Sequence, residues 1–512
     1  MSWIRPLPRS FTRPLAVGVL VAWAGVMTAL VHQSYFESSA VLAADLARYG
    51  SEAQWRGVYY RGAKVGFMVS QTVPVEDGFE ILEDGQLEMT LLGATSAVRI
   101  QTVAHVDRDF ALRAFEFSLD PGTGAVEVRG VVDGTRLALD ITTTAGTRAD
   151  ELVLDAPPAL ALNLGRRLAA GMLVPGARYE WSVFDPATLR NAPMVVEVGE
   201  REVVRAGDRR IPAFRVNLES AGLRTTSWIT DTGEIVREES PLGLMTVRET
   251  AEIATAMAIS GRTREDLIAV SAVVPVLEDQ RNQIFDPLDV HRLRLRLSGA
   301  DLSGLALAGV GQTVEGDVVE ILDPATLVPG PADPDLDRYL APEPLLESDA
   351  PEIVAETAIA LAGVTGTRAS AETLVRYVNG LLDKKPTVSL PSAREVLRTR
   401  VGDCNEHTAL YVAMARAAGI PARIAVGLVW VRGAFYYHAW PEVWIEDGPD
   451  RGHWLPVDPT LNQFPADATH LRLARGGLDQ QAVILPLLGR LEMTVLDLEV
   501  TPDSERITVG AS

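Results

Sequence analysis

The sequence predicts a multidomain chain in which an N-terminal antiparallel β-rich part precedes a C-terminal α+β domain. Three observations carry that prediction. Residues from about Trp55 to Ala251 alternate apolar and polar in the period of half-buried strands. Residues 323–350 hold Pro324, Pro329, Pro331, Pro334, Pro342 and Pro344, a density that breaks regular structure. Helical spelling resumes only after them. The 512 residues allow roughly two to four domains, and 47% hydrophobic with 22% charged residues is the balance of folded globular material.

The first segment, 1–36, reads as a signal-anchor or transmembrane helix. Arg5, Arg9 and Arg13 precede a 17-residue apolar run, Leu15–Val31, and no Asp, Glu, Lys or Arg occurs between Pro14 and Phe36. At 1.5 Å per residue the run reaches about 26 Å, enough to cross a bilayer core. Basic residues before it orient the helix from inside to outside. The expected location is therefore the inner (plasma) membrane, single-pass, with the bulk of the chain in the periplasm or outside the cell. The alternative is a cleaved signal peptide using Ser38 and Ala40, but these lie well beyond the apolar run, which favours a retained anchor.

Residues 52–253 form the expected antiparallel β-rich domain. Segments 56–73, 125–143 and 224–240 read as hairpins turning near Gly62, at Asp133-Gly134 and at Asp231 to Gly233. One helix is expected around 160–173. Such a sheet suits a spacer or docking unit, or a curved wall around an apolar ligand. Residues 262–322 read as a small second β-rich unit, where "HRLRLRLSGA" (291–300) alternates leucine with arginines on a solvated face. Residues 323–350 are a Pro-rich linker. In 351–475 Pro351 opens a helix, Ser370 caps another, and Ser392 with Glu395 forms a capping box for a third. Residues 476–512 are a C-terminal extension.

A formal net charge of −21 repels phosphate backbones, and no basic patch offsets it, so nucleic acid is excluded as a partner. The 512 residues hold one cysteine, Cys404. In an exported chain it has no partner for a disulfide, so it is either an inert buried residue or a functional thiol. Its setting favours function. Gly402 can end one helix in a left-handed conformation, and Asp403 can cap the next, with Glu406 at capping-box spacing. Cys404 is then the first helical residue, at the positive end of the dipole, where a thiolate is stabilised. That helix stops at Gly419, with Pro421 beyond.

Strand spelling follows at 422–431, 435–446 and 453–460. The middle strand carries His438 and the last ends with Asp458, 34 residues after Cys404 and then 20 further on. Thiol catalysis needs a base for the sulfur's proton, an acceptor that fixes the base's tautomer, and donors for the oxyanion. Cys404, His438 and Asp458 supply the first two, and the Cys404 backbone N–H offers part of the third. His407, one turn along the helix, makes a zinc site with Cys404 and His438 conceivable, but too few thiolates stand there, so no metal or cofactor is expected. Trp440 and Trp444 share a strand face with His438 and Glu442 and are candidates to wall a substrate cleft.

Three ordered segments, "GDCNEHTALYVAMARAAGIPARIAVG", "YYHAWPEVWI" and "WLPVDPT", resemble the transglutaminase-like superfamily of papain-like thiol enzymes. The resemblance covers about residues 350–475. It implies a papain/transglutaminase-like fold for the C-terminal domain, with Cys404 as nucleophile, His438 as general base and then acid, and Asp458 as the orienting carboxylate. The implied chemistry is attack on a carboxamide to give a thioester, resolved by water or by an amine. The expected function is hydrolysis of peptide or amide bonds outside the cytoplasm, on a peptide or protein substrate. The alternative is an inactive scaffold whose β-rich domain binds a protein or lipid partner in the envelope.

Overall fold

The computed structural model describes residues 53–501 apart from 92–93, 123, 208, 221–222, 242, 257–271, 386–391, 449, 477–483 and 488. The expected anchor, 1–36, lies outside the described residues. Among those described, no helix is long and apolar enough to cross a membrane.

Fourteen antiparallel strands make the N-terminal sheet. They are β1 (Gln54–Tyr60), β2 (Ala63–Val75), β3 (Gly78–Leu91), β4 (Ala94–Asp107), β5 (Leu112–Asp120), β6 (Val126–Asp133), β7 (Arg136–Thr143), β8 (Gly146–Val153), β9 (Arg178–Asp185), β10 (Arg190–Ala206), β11 (Arg209–Ser220), β12 (Leu223–Ile229), β13 (Ile235–Glu239) and β14 (Leu244–Glu249). The first eight follow one another as a meander, and so do the last six. The two halves meet where β1 pairs with β14, from Trp55 opposite Glu249 to Tyr60 opposite Leu244. Arg61 and Gly62, both at positive φ, make the tight β1–β2 turn that the sequence suggests.

A short helix, α1 (Leu164–Ala169), links the halves and buries Leu164 and Leu168 against Val183, Val196, Val198, Val216 and Ile229. Its approach to the β12–β13 turn requires glycine, since a Cβ on Gly165 would lie 2.5 Å from the Gly233 carbonyl oxygen. The cavity beside Gly165 is only about 40 Å³, which suits a water rather than an apolar ligand. A second short helix, α2 (Ala251–Thr255), is capped by Thr250.

The second lobe contains β15 (Val290–Ser298), β16 (Gln312–Glu315), β17 (Val318–Leu322), β18 (Ala422–Val431), β19 (Ala434–Glu446), β20 (Arg451–Pro456), β21 (Leu471–Arg475) and β22 (Glu492–Val500). Its helices are α3 (Pro351–Ala360), α4 (Thr367–Leu381), α5 (Ala393–Thr399) and α6 (Cys404–Ala417). One sheet runs Val276–Leu277, β22, β15, β17, β16, and the other runs Gly330–Pro331, β20, β19, β18, β21.

Here the structure departs from the sequence reading in three places. Residues 262–322 do not close a unit of their own, because β22 from the 476–512 segment pairs along β15, setting Leu293 opposite Leu498 and Leu297 opposite Met493. Leu293, Leu295 and Leu297 then enter one core with Val375, Leu410 and Leu455. The arginines of β15 do lie on the outer face, where Arg292 meets Asp497 at 2.8 Å. Second, the Pro-rich segment 323–350 is packed down. Pro324 starts a 3-10 turn capped by Asp323, Leu345 and Leu346 are buried, and Ala341 accepts a hydrogen bond from Arg416 at 2.7 Å. Third, α4 begins at Thr367 behind Gly366 and not at Ser370.

The lobes touch directly. Leu345 is buried in the core of the N-terminal sheet, Arg394 donates to the Ala145 carbonyl at 2.7 Å, and Arg148 pairs with Asp349 at 2.7 Å.

Candidate active site

The local sequence places Cys404 with little freedom. Helix α5 ends at Arg400, which takes the left-handed conformation (φ 54°) that the sequence reading assigns to Gly402. Gly402 has a different duty: a Cβ there would fall 2.2 Å from the Glu406 Cβ, so only glycine lets the next helix begin. Asp403 caps α6, its carboxylate accepting from Asn405 N–H at 3.0 Å, while the Glu406 carboxylate accepts from Asp403 N–H at 2.9 Å. The capping box is complete. Cys404 is therefore the first residue of the helix, and its own N–H is among the amides a helix start leaves without an intrahelical partner.

Helix α6 packs on β19, with Thr408 donating to the Ala439 carbonyl at 3.1 Å. The backbone N–H of Ala439, the residue after His438, donates to the Cys404 sulfur. His438 Nε2 meets Asp458 Oδ2 at 2.7 Å. Asp458 is fully buried, and its Oδ1 accepts from Thr460 and Leu461 N–H at 2.7 and 2.9 Å. Burial would raise this carboxyl, but His438 and His470 hold it far below the usual carboxylate range. An ionised Asp458 accepts only, so His438 donates to it from Nε2.

The thiol itself departs from the sequence expectation. Burial, then the Asp403 carboxylate, push Cys404 well above its ordinary value, and the Ala439 N–H only partly opposes them. The cysteine at rest is a neutral thiol.

Sequence reasoning passes over His470, which carries no motif spacing. The structure sets its Nε2 at 3.2 Å from Asp458 Oδ2, the oxygen that His438 also uses, and its Nδ1 at 3.2 Å from Asp467 Oδ1. Asp467-x-x-His470 in a loop just beyond Asp458 is the one local signal of it. The ligand atoms of His438, Asp458 and His470 lie within 4.8 Å of one another. Hydrogen bonds from both imidazoles to Asp458 Oδ2 pair them here.

Trp440 and Trp444 do not wall a cleft. Trp440 is 1% exposed, stacked on His438 and edge-on to His470 with ring centroids 6.1 and 5.1 Å apart. Trp444 is equally buried against Trp454. Their neighbour Glu442 sits among Arg423, Arg472 and Arg475. His407 is buried, with Nδ1 at 2.7 Å from the Asp403 carbonyl. A groove of about 740 Å³ runs past the Asp458 loop, walled in part by Leu461, Gln463, Asp467, Trp430, Phe285 and Leu288. Neither Cys404 nor His438 lines it.

Cys404 thus opens helix α6, His438 stands on β19, and Asp458 lies on the loop after β20, bonded to His438. Residues 356–459 match the family model of the transglutaminase-like superfamily, so the chain carries a domain of that superfamily. An uncharacterized protein of Mycobacterium bovis is 32% identical over 119 residues, which is 21% of this chain and 37% of the relative's length. A β-barrel-like protein of a domain of unknown function from Brucella abortus covers 38% of this chain and 96% of its own at 13% identity and a TM-score of 0.31. The periplasmic domain of TgpA from Pseudomonas aeruginosa, bound to ethylmercury, covers 34% and 77% at 20% identity and a TM-score of 0.24. At those scores neither structure bears on the chemistry.

Proposed function

We propose that the protein is a Cys-His-Asp amidase or peptidase that cleaves carboxamides through a cysteine thioester. The observation that carries this reading is the 2.7 Å bond from His438 to a buried, ionised Asp458, with the backbone N–H of the next residue, Ala439, on the Cys404 sulfur; in this reading His438 Nδ1 takes the thiol proton. Because the resting thiol is neutral, the S–H proton passes to His438 as sulfur attacks the carbonyl carbon. The oxyanion of the tetrahedral adduct meets the Cys404 N–H at the helix start. Collapse breaks the C–N bond, the amine leaves with the proton held by His438, and a thioester remains. Water, deprotonated by His438, then adds to the thioester, and the thiolate departs and regains its proton.

The same reading places the chain in the membrane through Leu15–Val31, with its bulk outside the cytoplasm and a peptide or protein as substrate. The flanking arginines support that orientation.

The test is turnover of glutamine- and peptide-amide substrates by the full chain, with and without hydroxylamine. A hydrolase releases acid and amine, and hydroxylamine diverts the thioester to a hydroxamate. The Cys404→Ala variant should form neither. Absence of both products from the native chain sinks the reading. The raised thiol favours one rival, an inactive scaffold. In a scaffold, iodoacetamide would alkylate Cys404 with the same pH profile in the native chain and in His438→Ala, whereas a working pair loses its base-assisted reaction in the variant.

A further inference from the structure

We propose that His470 is a positioning residue: a fixed buried imidazolium that shares Asp458 Oδ2 with His438, holds that carboxylate in place and offsets its pull on the His438 proton. The inference rests on the triad reading above and deepens it.

The geometry requires the cation. An imidazole with one proton can donate from one nitrogen only. Both nitrogens of His470 face acceptors: Nδ1 meets the Asp467 carbonyl and Oδ1 at 3.1 and 3.2 Å, and Nε2 meets Asp458 Oδ2 at 3.2 Å. Asp458 already binds two amide N–H groups through its other oxygen, and Asp467 accepts from Thr469 N–H at 2.8 Å and Gln463 Nε2 at 2.7 Å. Both are thus dressed as carboxylates, and a neutral His470 would leave one of them facing a lone pair in a site that is 5% exposed. Burial disfavours the charge, but Asp467 and then Asp458 outweigh it and push the group up to about 10.

Among the described residues, the charged and titratable groups facing His470 are Asp458, Asp467 and His438, whose ring centroid is 6.0 Å away. Trp440 adds an edge-on indole, and Arg472 is turned to Glu442 at 2.8 Å. The consequence for the base follows from Coulomb's law. A carboxylate beside an imidazole favours its protonation, and a second cation on the same oxygen opposes it. With His470 charged, part of the Asp458 charge is offset while the carboxylate still orients His438.

Two measurements on the full chain test this. The first needs neither turnover nor a variant: ¹⁵N spectra of the histidine ring nitrogens, in which both His470 nitrogens should show as protonated from pH 6 through about 9. A bare ring nitrogen at His470 at neutral pH overturns the proposal. The second is His470→Gln, which keeps an amide donor for Asp458 and removes the charge. The acidic limb of the activity profile should move to higher pH by about one unit. A variant that loses amplitude with its limb unmoved would mark His470 as structural only. If the native chain turns over no amide, the ring-nitrogen spectra still decide the charge on His470, and the failure belongs to the proposed reaction.

Discussion

Asp403 caps the helix that Cys404 begins, and the same carboxylate that orders the first turn of that helix helps push the Cys404 thiol up. Asparagine caps a helix as well as aspartate does. Asp403→Asn should therefore keep stability within about 1 kcal/mol while moving iodoacetamide alkylation of Cys404 to lower pH. Because Cys404 is the only cysteine, label counted by mass reports that site alone. An unmoved profile would assign the shift to burial and to the remaining carboxylates, Glu406 and Asp458.

Asp458→Asn removes the anion that fixes the His438 tautomer. The amide would offer N–H groups where two imidazole nitrogens need an acceptor. Turnover should fall by about 10³-fold or more, mostly in kcat. Steady-state kinetics beside Cys404→Ala measure how much of the native rate this residue supports.

Glu442 is held among three guanidiniums. Arg423 and Arg472 donate to it at 2.7 and 2.8 Å, and Arg475 lies at 3.3 Å. Burial alone would raise its carboxyl, but Arg472, Arg423 and Arg475 hold it at about 2. Its contribution to stability is present above the ordinary carboxylate range and is lost as pH falls toward 2. Glu442→Gln should cost about 3–5 kcal/mol in urea unfolding, since it leaves buried cations uncompensated. The variant should also lose that acid dependence.

His470 works in the opposite sense. A histidine raised to about 10 adds stability that is full below its ordinary 6.5 and declines as pH climbs to 10. Thermal unfolding followed from pH 6.5 to 10 should show that decline in the native chain. In His470→Gln the curve should be flatter over the same range.

Much of this was legible from spacing because it is local. Gly402, Asp403, Cys404 and Glu406 lie within one turn, and Cys404, His438 and Asp458 fall on or just beyond successive elements that short-range spelling marks out. The hairpins near Gly62 and Gly233 are equally local. Other features depend on pairings that no window of sequence contains. The Leu297–Met493 pair joins residues far apart in the chain. His470 matters only because the loop after Asp458 folds back to the same oxygen, and the burial of Trp444 comes from Trp454 on a different strand. The raised thiol is a related miss: helix-dipole reasoning counts the amide end of α6 but not the burial and the capping carboxylate, which act the other way.

The inner position of β22 also bears on how the protein is made. A ribosome delivers Glu492–Val500 after Cys404, His438 and Asp458, yet β15 lacks the longer of its two neighbours until those residues emerge. While the N-terminal sheet can assemble from contiguous hairpins, the lobe around Cys404 must await its late strand. Until Glu492–Val500 emerges, Leu293, Leu295 and Leu297 of β15 lack the strand that pairs along them at the edge of the shared core.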